Sequence, residues 1–104
     1  MWIFLSDAFL SVVADLDNPD GERLLVRARR MGDIERVFPE AQTFRIIGAD
    51  YAFRAWLPRH RVAEALKQQI QSITYPNFKA SILDSAYHEA AMESWRVMHD
   101  YQQI

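Results

Sequence analysis

Two segments near the start of the chain carry the pattern of apolar and polar positions that is typical of β-strands. Residues 8–16 are rich in β-branched and aromatic types, and residues 23–29 alternate so that Leu24, Val26 and Ala28 lie on one face. The Asn-Pro-Asp-Gly sequence at residues 18–21 favours a tight turn, because Pro19 fixes its own φ and Gly21 accepts a left-handed conformation. The pattern therefore predicts a hairpin.

A second hairpin is predicted over residues 43–57, with Ala49 and Asp50 at the centre of its turn. The expected cross-strand partners are then Ile46 with Phe53, Phe44 with Ala55, and Arg45 with Arg54. Residues 2–5 are apolar as well, and we expect them either to form a further short strand or to continue into the next one.

Helical spacing takes over in the second half of the chain. Gly32 and Asp33 offer a stop and an N-cap for a short helix that ends near Pro39. Pro58 is expected to begin a longer helix. The apolar stripe of this longer helix consists of Val62, Leu66, Ile70 and Ile73.

A final helix is predicted from Asp84 or Ser85 nearly to the C-terminus, since either residue can cap it. Its shared apolar face consists of Tyr87, Ala91, Trp95 and Met98. Glu93 and Arg96 are three residues apart and are expected to form an ion pair along this helix.

The order of these elements predicts an α+β fold, because strands in adjacent hairpins are followed mainly by helices. We expect an antiparallel sheet of four to five strands built from two hairpins, with two main helices packed on one face and one short helix. A chain of 104 residues suits a single compact domain over residues 1–104.

Charge is segregated along the chain although the formal net charge is only -2. Residues 1–22 contain five acids and no base, whereas residues 23–61 contain nine arginines and four acids, a net charge of +5. Residues 62–104 contain five acids and three bases. Such asymmetry indicates either a surface that binds a partner or neutralisation within the molecule.

Motifs for catalysis, metal binding and nucleotide binding are missing from the sequence. There is no cysteine, and the three glycines never form a phosphate-binding loop. His88 and His99 would lie ~16 Å apart along one helix, too far to share an ion. We expect no cofactor and no metal, and a protein located in the cytoplasm, since residues 1–5 lack the charged leader of a signal peptide.

One predicted surface is unusual, the sheet face that the helices leave open. Alternation along the strands places arginines and one tryptophan on it. These candidate partner-binding residues are Arg23, Arg27, Arg29, Arg45, Arg54 and Trp56. Alternatively, the arginines are simply solvated and neutralised by the protein's own acids. Trp56 and Ile47 would then need cover, from the N-terminal segment or from a second subunit in a homodimer.

Three stretches of the sequence, residues 2–13 (WIFLSDAFLSVV), 24–29 (LLVRAR) and 75–79 (YPNFK), resemble a group of small bacterial proteins. Those proteins often open with Phe-Leu-Asn-Asp-Ala-Phe-Leu-Ser, and Ser6 stands here at the position of their asparagine. The resemblance covers most of the chain. It implies no site residue or cofactor, because no activity is assigned to the group.

The leading hypothesis is a non-enzymatic module that binds a protein with an acidic surface, because segregated charge and surplus aromatic residues favour an interface. Its size and lack of catalytic motifs are similar to those of small phage inhibitors of bacterial defence systems, such as anti-CRISPR proteins. A second hypothesis is nucleic-acid binding through the same face, with bases stacked on Trp56. A third is an enzyme whose site is assembled from dispersed residues.

Overall fold

The computed structural model describes residues 1–103, and its strands form one antiparallel sheet. The order across the sheet is β1-β2-β3-β5-β4. The strands are β1 (Trp2–Phe4), β2 (Phe9–Ala14), β3 (Arg23–Ala28), β4 (Phe44–Arg45) and β5 (Phe53–Pro58). The α+β class and the five-stranded antiparallel sheet are therefore confirmed.

Three α-helices accompany the sheet within the described residues. They are α1 (Asp33–Val37), α2 (Arg59–Gln71) and α3 (Ser85–Gln102), and a single 3-10 turn covers Lys79–Ser81. No helix in this part of the chain is both long enough and apolar enough to cross a membrane. One short and two longer helices were predicted, and that prediction is confirmed.

The chain divides into two compact units, one from Met1 to Ile73 and one from Thr74 onward. The first contains the whole sheet with α1 and α2, and the second contains the 3-10 turn and α3. The expectation of a single domain over residues 1–104 stays a prediction.

Helices α1 and α2 pack on the same face of the sheet, which we call the core face. Alternate strand positions supply its aliphatic side chains. The core face consists of Leu10, Val12, Leu24, Val26, Ala28, Ala55 and Leu57. Ile34, Val37 and Phe38 from α1 and its C-cap, and Val62 and Ala65 from α2, complete the hydrophobic core of this unit. Burying this apolar surface is the main stabilising contribution to the unit.

The first predicted hairpin is present, with a turn that differs in one detail. The Gly21 amide donates to the Asn18 carbonyl at 3.0 Å, as a four-residue turn requires. Gly21 is not left-handed, since the glycines with positive φ are Gly32 and Gly48. A Cβ atom at position 21 would lie 2.8 Å from the Asn18 Cγ atom, so a larger residue there would require the Asn18 side chain to move.

The second hairpin is shifted by one residue from its predicted register. Phe44 pairs with Arg54 and Arg45 pairs with Phe53, so the predicted pairing of Arg45 with Arg54 is wrong. The Ile46 amide donates to the Ala52 carbonyl at 2.9 Å, and Gly48 adopts a φ of 85° within the loop. A loop closed between residues 46 and 52 is longer than the turn predicted around residues 49 and 50.

Helix α1 begins one residue from its predicted cap. Gly32 is the N-cap, with a left-handed φ of 94°, and Asp33 is the first helical residue. The Asp33 carboxylate instead accepts hydrogen bonds from the Phe9 amide at 3.1 Å and from Arg36 at 2.8 Å, so it ties α1 to the start of β2. Burial raises the pKa of this carboxyl.

The two longer helices begin where they were predicted to begin. Pro58 is the N-cap of α2, which ends at Gln71, so Ile73 lies beyond the helix. Leu66 packs against the core, whereas Ile70 is exposed. Asp84 caps α3 by accepting a hydrogen bond from the Tyr87 amide at 2.8 Å. The expected pair of Glu93 and Arg96 is present at 2.5 Å.

Candidate functional site

The sheet face opposite the core face carries one continuous row of side chains across all five strands. Cross-strand partners point to the same face of a sheet, so their register identifies the row. From β1 to β4, the row consists of Trp2, Ser11, Arg27, Arg54 and Phe44. At about 4.8 Å per strand it spans about 19 Å. We call this set the central row.

Further aromatic and aliphatic residues flank the central row on the same face. On one side of the row, Phe4 pairs with Phe9. On the other side lie Val13, Leu25 and Trp56, which are neighbours across three strands, and Arg23, the first residue of β3. We call this whole surface, central row included, the aromatic face. It combines the side chains that are most enriched at protein interfaces, tryptophan, phenylalanine and arginine.

Aromatic rings pack against one another where β1 meets β2. The Phe4 and Phe9 ring centroids lie 4.6 Å apart, and the Trp2 ring meets the edge of Phe9 at 6.2 Å. Trp2 still keeps 69% of its surface exposed, and Phe44 at the far end of the row keeps 41%. Both ends of the central row therefore present apolar surface to solvent.

Arg23 covers part of the Trp56 ring. Its guanidinium lies 3.8 Å from the ring centroid, a cation–π contact, while its Nε donates to the Asp15 carboxylate at 2.8 Å. The hydrogen bond from Arg23, with a second from the Asp17 amide, holds the pKa of Asp15 below its usual value. Trp56 remains 37% exposed and Ile47 88% exposed, so the expected cover from the N-terminal segment or a second subunit stays a prediction.

Tyr51 fixes two further arginines on this side of the sheet. Tyr51 is buried, and the guanidiniums of Arg27 and Arg29 lie over its ring at 4.5 and 4.2 Å. Arg27 also donates to the Ser11 hydroxyl at 2.7 Å, and Arg29 donates to the Asp50 carbonyl at 3.0 Å. The loop between β4 and β5 is thereby held against Arg27 of β3 and against Arg29, which follows the end of β3.

Arg54 belongs to the aromatic face, as predicted, and Arg45 does not. Arg54 Nε donates to the Tyr51 carbonyl at 3.1 Å, and its side chain is 19% exposed. Arg45 shares a face with Phe53, and its guanidinium lies 5.3 Å from the Phe53 ring centroid. The one-residue shift of the second hairpin therefore moves Arg45 to the opposite side and brings Phe44 to the aromatic face in its place.

Four of the six predicted residues lie together in the sheet, namely Arg23, Arg27, Arg54 and Trp56. Arg29 lies just beyond β3 and joins them because its guanidinium contacts the Tyr51 ring. Sequence reasoning missed Trp2, Phe4 and Phe9 as members of this face. The period-2 alternation of residues 2–13 could have identified them. It places Phe9 on the same face as Ser11, and it places Trp2 and Phe4 of the preceding strand on one common face. It missed Tyr51 because a loop residue has no periodicity.

Nothing in residues 1–103 groups three or more metal-binding side chains. The aromatic face instead offers ring surfaces and guanidinium donors, which suit recognition of another molecule. No protein-family model, curated protein or solved structure matches the chain.

Proposed function

We propose that this chain is a non-enzymatic protein-binding module that engages its partner through the aromatic face. The central row carries the proposal, because it places exposed Trp2 and Phe44 at its two ends and two arginines at its middle. Both helices of residues 1–73 pack on the core face, so neither of them covers this row.

The side chains of the aromatic face suit a protein partner. Exposed apolar surface bordered by polar groups marks interaction sites on soluble domains, and tryptophan and arginine provide most of the strong contacts at interfaces. Several of the arginines are already held by ring contacts and hydrogen bonds, as Arg23 is by Trp56 and Asp15. Ordering them on binding therefore costs less conformational entropy.

Charge favours an acidic partner surface. Residues 23–61 carry a net charge of +5, and their arginines at positions 23, 27 and 54 share the aromatic face. A complementary negative surface would increase the association rate and disfavour basic partners. We therefore expect association to slow as salt is raised.

The same geometry supports a nucleic-acid interface less well. Base stacking requires an open ring face, and the Arg23 guanidinium lies over Trp56 at 3.8 Å. A nucleic-acid backbone is bound best by several cations whose donors are all free, whereas Arg27 already donates to the Ser11 hydroxyl and Arg54 to the Tyr51 carbonyl. Protein binding remains the function that we propose.

The test uses two tryptophans as a matched pair. A partner is first captured from a bacterial lysate and purified, and its affinity is then measured by calorimetry for the wild type, Trp56→Ala and Trp95→Ala. Trp56 lies on the aromatic face, whereas Trp95 is 49% exposed on α3 in the other unit. Removing an interface tryptophan should weaken binding at least about tenfold, and Trp95→Ala should change it less than about twofold.

Equal affinity of the wild type and Trp56→Ala, with both folded by circular dichroism, would overturn the proposal. A separate titration with single-stranded RNA at low salt supplies the competing outcome. Saturable quenching of tryptophan fluorescence that disappears in Trp56→Ala would assign the face to nucleic acid instead.

A further inference from the structure

Two arginines face each other directly at the centre of the aromatic face. Arg27 on β3 and Arg54 on β5 are register partners, and both side chains are largely withdrawn from solvent. Like charges placed directly opposite one another in a sheet repel. Partial burial strengthens that repulsion, because water screens it less. The pair is therefore unfavourable unless anions lie close to both arginines.

The protein's own groups satisfy this pair incompletely. Arg27 is bound by the neutral Ser11 hydroxyl, and Arg54 by the neutral Tyr51 carbonyl. The Asp50 carboxylate lies 3.8 Å from Arg54, which is longer than a hydrogen bond. Neither arginine thus has a carboxylate at hydrogen-bonding distance.

A second, independent observation concerns one donor of Arg27. Its Nε–H is buried and has no hydrogen-bond acceptor among the described residues. Buried donors of this kind are rare in folded proteins, because leaving one unsatisfied is costly. Arg27 therefore retains one buried donor without an acceptor among the described residues, directly beside the positive charge of Arg54.

We propose that Arg27 and Arg54 form a receptor site for a carboxylate of the partner protein, an inference that rests on the protein-binding function proposed above. The planar guanidinium matches a carboxylate group, which would neutralise the pair and supply acceptor oxygens. The exposed rings of Trp2 and Phe44, at the ends of the same row, would contact apolar neighbours of that acid. The partner surface therefore carries a central Asp or Glu flanked by apolar residues.

A carboxylate fits this site better than a phosphate group does. A phosphate carries more charge and three acceptor oxygens, and it is usually bound by several free donors. Here Ser11 and Tyr51 already engage donors of both arginines. The preference between the two anions is therefore part of the test.

The test needs no partner protein, so its failure can be distinguished from failure of the proposed function. The full chain, labelled with nitrogen-15, is titrated with glutarate while sodium chloride keeps the ionic strength constant, and the arginine Nε–Hε signals are followed by NMR. Signals of Arg27 and Arg54 should shift saturably. The signal of Arg45, which lies on the opposite face beside Phe53, should not.

Matched lysine variants separate geometry from charge. Arg27→Lys and Arg54→Lys keep the positive charge but lose the planar guanidinium group, which can form two hydrogen bonds to one carboxylate. Each variant should weaken glutarate binding about tenfold or more. Arg45→Lys should leave it unchanged. Circular dichroism of each variant checks that the fold is retained.

Three results would overturn the inference. They are shifts that do not saturate, shifts of equal size at Arg45, and saturation by inorganic phosphate at a lower concentration than by glutarate. If any of these occurs while Trp56→Ala still weakens binding to a protein partner, the aromatic face remains the interface and only the carboxylate site is wrong.

Discussion

The core face and the aromatic face alternate along the same strands but are stabilised by different interactions. On the core face, Leu10, Val26 and Ala55 are fully buried beneath α1 and α2, and dispersion and the hydrophobic effect hold them. On the aromatic face, arginines lie over rings and donate to a hydroxyl, a carbonyl and a carboxylate. One face is thus packed for stability, whereas the other keeps ring surface of Trp2, Phe44 and Trp56 exposed to solvent.

This difference shows how contacts between arginines and aromatic rings can keep partly exposed rings in defined positions. The Arg23 contact with Trp56 and the Arg27 contact with Tyr51 hold flat groups against one another. Each such contact contributes about 0.5–2 kcal/mol, depending on its burial. These contacts therefore help to order the aromatic face.

The largest expected effect separates the two faces with a pair of phenylalanines. Phe38→Ala removes a fully buried ring from the core, and we expect it to lower the free energy of unfolding by about 3–5 kcal/mol. Phe44→Ala removes a ring that is 41% exposed on the aromatic face, and we expect a loss below about 1 kcal/mol. Urea denaturation of both variants measures the difference. Losses of equal size would show that the aromatic face is packed like a core.

A smaller effect is expected from the polar contact at the centre of the aromatic face. Ser11 is almost fully buried, and its hydroxyl accepts the 2.7 Å hydrogen bond from Arg27. Ser11→Ala removes an acceptor of a charged group, so we expect a loss of about 1.5–3 kcal/mol in urea denaturation. Ser72→Ala is the matched control, since the Ser72 hydroxyl is exposed at the end of α2. A Ser11→Ala loss as small as that of the control would mean that Arg27 does not depend on this contact.

The smallest effect concerns two carboxyls whose pKa values are shifted in opposite directions. Arg23 lowers the pKa of Asp15 on the aromatic face, so the stability that Asp15 contributes is present above the ordinary value of 3.8 and is lost as the pH falls through the lowered value. The stability difference between the wild type and Asp15→Asn should therefore shrink on acidification below pH 3.8.

Asp33, the first residue of α1, should show the opposite dependence of stability on pH. Burial raises its pKa above 3.8, so its contribution is fully present below that value and is lost as the pH rises through the raised one. Asp33→Asn should accordingly become more stable relative to the wild type as the pH rises through that range. Urea midpoints measured against pH test both variants, and curves that stay parallel to the wild type would contradict both pKa directions.

Sequence reasoning predicted the fold well because its signals were strong and local. The alternation of residues 23–29 and the turn before it identified the first hairpin, and Pro58 and Asp84 marked the starts of α2 and α3. Arg23, Arg27, Arg54 and Trp56 were assigned to one face by period-2 alternation within strands, which needs no knowledge of loops.

The errors arose where a loop decides the register. The second hairpin closes between Ile46 and Ala52, and the choice of a shorter turn shifted β4 by one residue. In a sheet that shift moves every side chain of the strand to the opposite face, which is why Arg45 was misplaced. Tyr51 and the β1 aromatics were missed because their role depends on contacts between segments distant in sequence.

The most direct test of the aromatic face as the interface uses the three tryptophans of the chain. Each indole N–H gives one signal in an NMR spectrum, and Trp2 and Trp56 lie on the aromatic face whereas Trp95 lies on α3. On titration with the purified partner, the signals of Trp2 and Trp56 should shift or broaden while that of Trp95 stays in place. Perturbation of Trp95 alone would contradict the account.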